Sequence, residues 1–361
     1  MRSSFAPEKI LLTGGAGFIG SHAVDYLLDV YPEAEIRVLD KFTYAADRSY
    51  LASAMSSGRA SIIDGDICQF QTVKSAADGI DLIIHFAAES HVDHSFSEPG
   101  KFTNTNVVGT QLLLEAMREM NVPRFIHIST DEVYGDEAVV ECGEDAGFKP
   151  TNPYAASKAA AEMIIRGYRR SYGLNIDILR PNNIIGTRQY PEKLIPRFIA
   201  LASLGRPLTI HGTGHQTRSF LAVSDFCRAL HTVIEAEKPS DTYNVSSPNE
   251  HSILEIAKQI KTLLPDRSNS SGINLIYENG RQVNDECYHI SGSKLAALGW
   301  QPQLTLQDLL PEIIDWYLAN PQKMSLVGSQ MAGHNSTLLT ANPGAIFAAR
   351  PYLPDYAKLR A

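Results

Sequence analysis

A tyrosine and a lysine lie four residues apart in a stretch with helical periodicity. Tyr154 and Lys158 form the pattern Y-x-x-x-K, and an i, i+4 spacing places both side chains on one helix face. A lysine ammonium close to a phenol favours the phenolate, which lowers the tyrosine pKa from about 10 toward neutral pH. The spacing therefore predicts that Tyr154 acts as a base toward a hydroxyl group, although two surface residues on a helix would show the same spacing. The preceding Asn152-Pro153 is typical of a helix start.

Two adjacent carboxylates, Asp131 and Glu132, follow Ser129-Thr130 at the end of an apolar run. Neighbouring carboxylates push their pKa values apart, so that one can remain protonated at neutral pH and the pair can supply both an acid and a base. Successive strand residues point to opposite faces of a sheet. Both carboxylates can therefore reach one substrate only if the chain leaves strand geometry near residue 131. The alternative interpretation is an acidic loop or helix cap.

A glycine-rich turn follows the first predicted strand. Gly14, Gly17 and Gly20 are spaced G-x-x-G-x-x-G, and from Gly15 the run also reads G-x-G-x-x-G. Such glycines permit a tight turn, close approach of the backbone to a pyrophosphate and close packing of helix on strand. Asp40 comes twenty residues after Gly20, where a carboxylate can bind an adenosine ribose. The pattern predicts a dinucleotide site, and Asp40 favours NAD because a carboxylate repels a 2′-phosphate.

Two further residues near this site have open interpretations. Lys41, next to Asp40, is either a solvated turn residue or a cofactor contact. Asp66 follows the third predicted strand, where it could touch the adenine or simply form the turn.

Short apolar runs alternate with helix-period stretches through the first half of the chain. The predicted strands are 9–13, 36–39, 61–63, 81–85, 125–128 and 176–179, and the predicted helices are 18–30, 70–78, 104–120 and 154–171. Near-continuous apolar strands that alternate with helices indicate a parallel sheet covered on both faces. The predicted class is therefore α/β, with a doubly wound Rossmann sheet.

After residue 185 the predicted elements become shorter and are separated by Gly, Pro, Thr and His. We interpret residues 1–185 as an NAD-binding Rossmann domain that also carries the candidate catalytic residues, and residues 186–320 as a smaller substrate-binding lobe. Residues 321–361 have no clear period and are interpreted as a C-terminal extension, either an ordered arm or a loose one. Predicted helices of the second part are 192–204, 224–236, 252–264 and 306–319, and a strand at 242–246 could return to the first sheet.

Composition excludes several classes of protein. The chain of 361 residues is 44% hydrophobic and 20% charged, which is ordinary for a globular protein. Its net charge of −8 weighs against a nucleic-acid or membrane-surface protein. The four cysteines are far apart without a C-x-x-C pair, so we expect reduced thiols in a cytoplasmic protein. We expect no membrane span or secretory signal, because no apolar run approaches about 18 residues.

Eight segments together resemble one enzyme family. The chain resembles the extended short-chain dehydrogenase/reductase superfamily and, within it, the dTDP-glucose 4,6-dehydratase family with its UDP-glucose-using relatives. The likeness covers roughly residues 8–320, and STDEVYG (129–135) is its most discriminating segment. The other segments are TGGAGFIGSH (13–22), LDKFTYA (39–45), GDI (65–67), HFAAESHVDHSF (85–96), NPYAASKAAAE (152–162), YPEKLIP (190–196) and RSFLAVSDFCRAL (218–230).

The resemblance implies a reaction in three parts on a nucleotide-diphosphate hexose. A hydride leaves C4 for NAD⁺, water is lost across C5–C6, and the hydride returns to C6 to give a 4-keto-6-deoxy sugar. By resemblance, Asp131 is the acid and Glu132 the base, while Thr130 hydrogen-bonds the C4 oxygen and helps Tyr154 take its proton. Lys158 would also hold the nicotinamide ribose. The implied NAD contacts are Gly14, Gly17, Phe18, Ile19, Gly20, Asp40, Lys41, Asp66, Ile67, Ala87, Ala88, Tyr154 and Lys158.

A diphosphate substrate calls for cations and hydrogen-bond donors in the second lobe. Arg218 and Arg281 are candidates, since arginine binds phosphate bidentately. The resemblance adds further substrate-binding candidates, namely Ser90, Thr130, Asn183, Lys193, Leu194, Asn249 and Asn284. The chain departs from the family at Ile185, at Thr187 and over residues 281–285, which leaves the nucleotide base and the exact hexose open.

The sequence also leaves rival functions open and gives expectations for assembly and metal binding. A UDP-glucose 4,6-dehydratase, a nucleotide-sugar 4-epimerase and a dinucleotide-binding regulatory or scaffold protein stay open as rivals. The resemblance implies a homodimer built through helices 104–120 and 154–171. His91 and His94 are three residues apart, a spacing that could serve a metal. Since no carboxylate or cysteine set completes such a site in the sequence, we expect structural roles for both histidines and no metal.

Overall fold

A seven-stranded parallel sheet forms the centre of the fold. The computed structural model describes residues 5–136, 141–236, 240–264, 274–278 and 288–324. Its strands are β1 Lys9–Thr13, β2 Glu35–Asp40, β3 Ala60–Asp64, β4 Leu82–His85, β5 Arg124–Ile128, β6 Ile176–Pro181, β7 Asn183–Ile185, β8 Leu208–His211, β9 Thr217–Ala222, β10 Thr242–Val245, β11 Glu250–Ser252 and β12 Leu275–Glu278. The central sheet has the order β10-β6-β5-β4-β1-β2-β3. Its parallel pairing confirms the doubly wound α/β class predicted from the sequence.

Helices cover both faces of this sheet. They are α1 Phe18–Val30, α2 Ala52–Ser56, α3 Phe70–Ala76, α4 Val92–Ser97, α5 Pro99–Phe102, α6 Gly109–Glu119, α7 Pro153–Tyr172, α8 Leu194–Ser203, α9 Val223–Ile234, α10 Ile253–Leu263, α11 Ser293–Ala296 and α12 Leu306–Ala319. Ile10 and Leu12 of β1 pack in one apolar cluster, whereas Leu11 between them packs in another. Strand β1 is therefore buried on both faces, which explains its continuous apolar run.

Helices and strands of the second half of the chain pack in two different apolar cores. Helices α8, α10 and α12 pack on one another in a separate apolar cluster, next to small sheets of order β11-β9-β7 and β12-β8. Helix α9 instead packs on α1, and β10 pairs with β6, as the sequence had suggested for this strand. We therefore propose that α9 and β10 belong to the first lobe, although both follow the boundary at residue 185.

The helix predicted over 104–120 differs in its first turn. Residues Thr103–Val108 form a π-helical segment that continues into α6. Asn106 in this segment is buried, and its amide donates to the backbone oxygen of Glu89 at 3.0 Å and to Ser157 Oγ at 2.9 Å. Its Oδ1 accepts from the amide N–H of Glu89 at 2.8 Å. The wider turn lies where the helix makes these tertiary bonds, and π-bulges in helices are frequent at functional sites.

Within the described residues, no helix combines the length and the apolar character that a bilayer-spanning segment needs.

Candidate active site

A cleft of about 380 Å³ opens at the carboxyl ends of the central strands. The chain leaves β1 for β2 on one side and reaches β4 on the other, and ligands of doubly wound sheets bind at such a switch point. The cleft is lined by the glycine-rich turn, by the ends of β2, β4 and β5, by the start of α7 and by residues 181–185, 189–190 and 192–195.

The glycine-rich turn lies at one end of this cleft, and two of its glycines have no room for a side chain. Gly14 has a φ of +73°, and a Cβ there would come within 2.6 Å of the backbone nitrogen of Ala87. A Cβ on Gly20 would overlap the carbonyl oxygen of Gly14. Gly17 is the N-cap of α1 and offers no side-chain cap, so the first N–H groups of the helix are left for a ligand.

The carboxylate predicted to bind a ribose lies at the end of β2, facing the glycine-rich turn. Asp40 Oδ2 accepts the N–H of Ala16 at 2.9 Å, and Oδ1 accepts the N–H of Phe42 at 2.8 Å. Burial raises the pKa of Asp40, and the two N–H donors oppose this rise. The same carboxylate thus braces the turn and lines the cleft, where its remaining lone pairs can accept hydroxyl groups.

Lys41 and Asp66 form an ion pair on the cleft wall. Lys41 Nζ lies 2.6 Å from Asp66 Oδ2. The lysine side chain is 61% exposed, so the pair contributes little stability. The structure therefore brings these two candidates together, and the other NAD candidates also line the cleft: Phe18, Ile19, Ile67, Ala87 and Ala88.

The chain leaves strand geometry at residue 131, as the chemistry of the acidic pair requires. Residues Asp131–Tyr134 form a short 3-10 helix directly after β5, with Thr130 as its N-cap. Thr130 Oγ1 accepts the N–H of Glu132 at 3.3 Å. The turn brings both acidic residues to the cleft lining, together with Thr130 and Tyr154.

The surroundings of Asp131 bring the pKa of its carboxyl close to neutral pH. Burial raises its pKa to about 7, and the charge of Glu132 adds to this rise. Two hydrogen bonds oppose the shift: Asn182 Nδ2 donates to Oδ2 at 2.8 Å, and Thr130 Oγ1 donates to Oδ1 at 3.2 Å. The carboxyl of Asp131 can therefore carry a proton at neutral pH while Glu132 accepts the Asn152 amide at 3.1 Å.

The expected effect of Lys158 on Tyr154 is wrong for this structure. Burial raises the pKa of Tyr154, and the charges of Glu132 and Asp131 raise it further. A hydrogen bond with Thr130 favours the phenolate. Lys158 donates to the backbone oxygen of Ile128 at 2.5 Å, and burial lowers its pKa to about 8. The i, i+4 spacing places both residues at the cleft. The ammonium of Lys158, however, contacts the end of β5 and is not among the groups that shift the pKa of Tyr154.

A buried polar network behind the acidic pair was missed by sequence reasoning. Glu162 and Arg180 have fully buried side chains, and their closest N and O atoms are 2.6 Å apart. Glu162 Oε1 also accepts from Ser129 Oγ at 2.6 Å, and Arg180 donates to the hydroxyl of Tyr134. The network holds both ends of the 129–134 turn. The only sequence signal was that Glu162 lies four residues beyond Lys158 on α7.

Only some of the substrate-binding candidates line the cleft. Ser90, Asn183, Lys193 and Leu194 line the cleft, and the ammonium of Lys193 donates to the backbone oxygen of Ser90 at 3.0 Å. Two other candidates are absent from the lining residues. Arg218 lies 5.3 Å from the ring centroid of Tyr288, and its charge lowers the pKa of Asp131. The Asn249 side chain donates to the backbone oxygen of Leu304 at 2.8 Å.

Some expectations concern parts of the chain that the structure does not describe. Arg281 and Asn284 lie outside the described residues, as does most of the extension predicted over residues 321–361.

The expectation that no carboxylate joins His91 and His94 is wrong. Glu192 lies beside both histidines, and one ligand atom from each of the three residues lies within 4.8 Å of the other two. The sequence could not reveal this because Glu192 lies almost a hundred residues further along the chain and reaches the histidines only through packing of the second lobe on the first.

Comparison with known proteins identifies the family to which the chain belongs. The family model described as GDP-mannose 4,6 dehydratase matches residues 11–313. The chain belongs to this family. It is 40% identical over 321 residues to the dTDP-D-glucose 4,6-dehydratase of Bos taurus, which covers 88% of this chain and 90% of that one. The resemblance to dTDP-glucose 4,6-dehydratases inferred from the sequence motifs is thereby confirmed.

Longer relatives and solved structures extend the comparison. The chain is 40% identical over 343 residues to a trifunctional UDP-glucose 4,6-dehydratase of Arabidopsis thaliana, which covers 93% of this chain but 51% of the plant protein. It therefore spans about half the length of that relative. The dTDP-glucose 4,6-dehydratase DesIV of Streptomyces venezuelae, crystallised with NAD, superposes with a TM-score of 0.82 at 37% identity, over 86% of this chain and 97% of that one. A UDP-glucose 4-epimerase of Thermotoga maritima has a TM-score of 0.79 at 26% identity, over 86% and 99%.

Proposed function

We propose that this protein is a hydro-lyase, an NAD-dependent 4,6-dehydratase that converts a nucleotide-diphosphate hexose to the 4-keto-6-deoxy sugar. One observation carries the proposal: a buried, protonatable Asp131 and the neighbouring Glu132 line the same cleft as Tyr154 and the glycine-rich turn. A 4-epimerase needs no acid and base at C5–C6, so this pair favours dehydration. The identity to dTDP- and UDP-glucose dehydratases supports the same reaction.

The cleft fits NAD at its glycine-rich end. Gly14 and Gly20 allow the tight packing of this turn, and the start of α1 at Gly17 would offer its backbone N–H groups to a pyrophosphate. Asp40 would hold the adenosine ribose, with Lys41 and Asp66 beside it and Phe18, Ile19, Ile67, Ala87 and Ala88 along the walls. When bound, NAD accepts a hydride and later returns it, so no external redox partner is consumed.

The residues at the middle of the cleft would handle the protons. Tyr154, as its phenolate, takes the proton of the C4 hydroxyl and becomes the neutral phenol, and a hydrogen bond with Thr130 favours the phenolate that this step needs. Lys158 would hold the nicotinamide ribose. Asp131, protonated near neutral pH, gives its proton to the C6 oxygen that leaves, while Glu132 removes the C5 proton.

The second lobe would hold the nucleotide diphosphate. Ser90, Asn183, Lys193 and Leu194 line the cleft beyond the acidic pair and are proposed to contact the hexose or its diphosphate. Arg218, Arg281, Asn249 and Asn284 remain proposed contacts on the strength of the sequence resemblance. On this basis we infer that residues 186–320, apart from α9 and β10, form mainly the substrate lobe, and that residues 1–185 form most of the NAD-binding domain.

We expect the protein to remove water from a nucleotide hexose. Protein saturated with NAD is incubated with dTDP-glucose, UDP-glucose and CDP-glucose, and the products are analysed by mass spectrometry. The expected product has lost one water, and no reduced nicotinamide accumulates, because the hydride returns to C6. Recovery of an isomer of unchanged mass would identify a 4-epimerase instead, and no product from any hexose would favour a scaffold. The kcat/KM values decide between dTDP-glucose and UDP-glucose, the substrates of the two relatives compared above.

We expect turnover to depend on the protonated form of Asp131. Its pKa of about 7 means that the acid is protonated below this pH and lost above it, so kcat falls as the pH rises through about 7. The Asn182 amide favours the ionised carboxylate. In Asn182→Leu the fall in kcat therefore moves to higher pH, whereas Asn320→Leu, at the end of α12, leaves it in place. A fall that stays fixed or moves to lower pH in Asn182→Leu would contradict this assignment of the acid.

The assembly and location are also inferred. We infer a homodimer formed through the helices of residues 103–119 and 153–172, where Val108 and Met163 are exposed by 39% and 56%. A solution mass of one chain by sedimentation equilibrium would contradict it. We infer a cytoplasmic location, supported by the free thiols of Cys68 and Cys227 among the described residues, and cell fractionation tests it.

A further inference from the structure

Two histidines and a glutamate meet at the rim of the cleft. His91 is the N-cap of α4 and His94 lies in that helix, so their three-residue spacing brings both imidazoles to one side. Their ring centroids are 4.2 Å apart. Glu192 comes from the segment before α8 and places a carboxylate oxygen 3.6 Å from His91 Nε2.

The carboxylate of this cluster is largely buried, with the His91 imidazole, the Tyr44 hydroxyl and the charge of Lys193 beside it. Only 7% of the Glu192 side chain is exposed, and 14% of that of His91. Within the described residues, its ion-pair contact is to His91, while the neighbouring ammonium of Lys193 donates to the backbone oxygen of Ser90. The hydroxyl of Tyr44 donates to Glu192 Oε1 at 3.3 Å. Ligating carboxylates in metal sites are oriented by hydrogen bonds of this kind.

The spacing of these ligand atoms suits a small divalent ion. Zinc binds histidine nitrogen and carboxylate oxygen at about 2.0–2.2 Å, which in a tetrahedron puts ligand atoms about 3.4 Å apart. The 3.6 Å between His91 Nε2 and Glu192 Oε2 is close to this separation. His94 completes the set by a side-chain rotation within the 4.8 Å cluster, and its side chain is exposed enough to make it.

We propose that His91, His94 and Glu192 form a binding site for a divalent transition-metal ion such as Zn²⁺ or Co²⁺, with water in the remaining position. Two imidazoles and a carboxylate are the ligand set of open zinc sites. Asp93 lies 3.8 Å from His91 Nε2 and adds negative charge beside the ion.

A metal ion bound at this site would affect the cleft through Glu192, which belongs to both. This residue lines the cleft beside Lys193, so a metal that captures its carboxylate changes the wall that faces the sugar. Metal binding therefore inhibits turnover, and this part of the inference rests on the proposed dehydratase function.

The test separates metal binding from activity. Full-length protein with NAD is freed of metal by a chelator and titrated with Co²⁺, whose visible absorption reports nitrogen and oxygen coordination without any turnover. We expect one Co²⁺ per chain in the wild type and at least tenfold weaker binding in His94→Gln. His215→Gln, which removes an exposed histidine from the turn between β8 and β9, binds as the wild type does.

Activity is then measured with and without Zn²⁺. We expect His94→Gln to turn over within about twofold of the metal-free wild type, because His94 is not a cleft-lining residue, and to need at least tenfold more Zn²⁺ for half inhibition. Equal Co²⁺ affinity in the wild type and His94→Gln overturns the site. Lost Co²⁺ binding with unchanged inhibition by Zn²⁺ overturns the coupling to the cleft. Absence of turnover in every form, with the Co²⁺ spectrum intact, refutes the dehydratase function and leaves the metal site supported.

Discussion

We expect Glu132→Gln to reduce NAD⁺ in the first turnover and then to stop. In the proposed reaction, oxidation at C4 depends on Tyr154 and Thr130, which the substitution leaves in place. Loss of water needs a base for the C5 proton, and an amide cannot accept it. Removal of a general base slows its step by about 10²–10⁴-fold. Absorbance of the reduced nicotinamide should therefore rise with one equivalent of substrate and persist, whereas in the wild type it decays as product forms.

The fold of this variant should be unaffected. Glutamine keeps the shape of the side chain, and its Oε1 can still accept the Asn152 amide that contacts Glu132 now. Glu119→Gln, on the exposed end of α6, is the matched control and should turn over normally. Normal turnover in Glu132→Gln itself would show that another group removes the C5 proton.

We expect Glu162→Ala to lower the free energy of unfolding by about 3–5 kcal/mol. The substitution leaves the guanidinium of Arg180 fully buried without its carboxylate, and an uncompensated buried charge costs this much. It also removes the acceptor of Ser129 Oγ, which precedes the turn that carries the acidic pair. Urea denaturation followed by circular dichroism measures the change.

An exposed glutamate provides the contrast. Glu119 pairs with Lys74 at 2.6 Å, but both side chains are about 40% exposed. Solvent screens such a pair, so Glu119→Ala should cost about 0–1 kcal/mol. Equal losses in Glu119→Ala and Glu162→Ala would mean that the Glu162–Arg180 pair contributes no more than a surface contact.

Much of the scaffold and half of the site could be predicted from local pattern. The apolar runs identified the first six strands, because a strand covered by helices on both faces must be apolar throughout. The glycine spacing and Asp40 located the dinucleotide end, since only glycine allows the close backbone approach seen at Gly14. The acidic pair even predicted its own backbone geometry, because two adjacent side chains reach one ligand only outside a strand, and the 3-10 helix at Asp131 confirms it.

Other features depended on side chains distant in sequence. The raised pKa of Tyr154 follows from burial beside Glu132 rather than from the nearby Lys158, and Asn182 reaches Asp131 across 51 residues. Glu192 joins the histidine pair in the same way. Periodicity and residue spacing are set by covalent and hydrogen-bond geometry within a few residues, so the sequence by itself determined the sheet, the turns and the candidate proton-transfer groups. Desolvation and long-range partners arise only when separate segments pack together, so the tertiary structure alone decided how those groups are charged and what else they can bind.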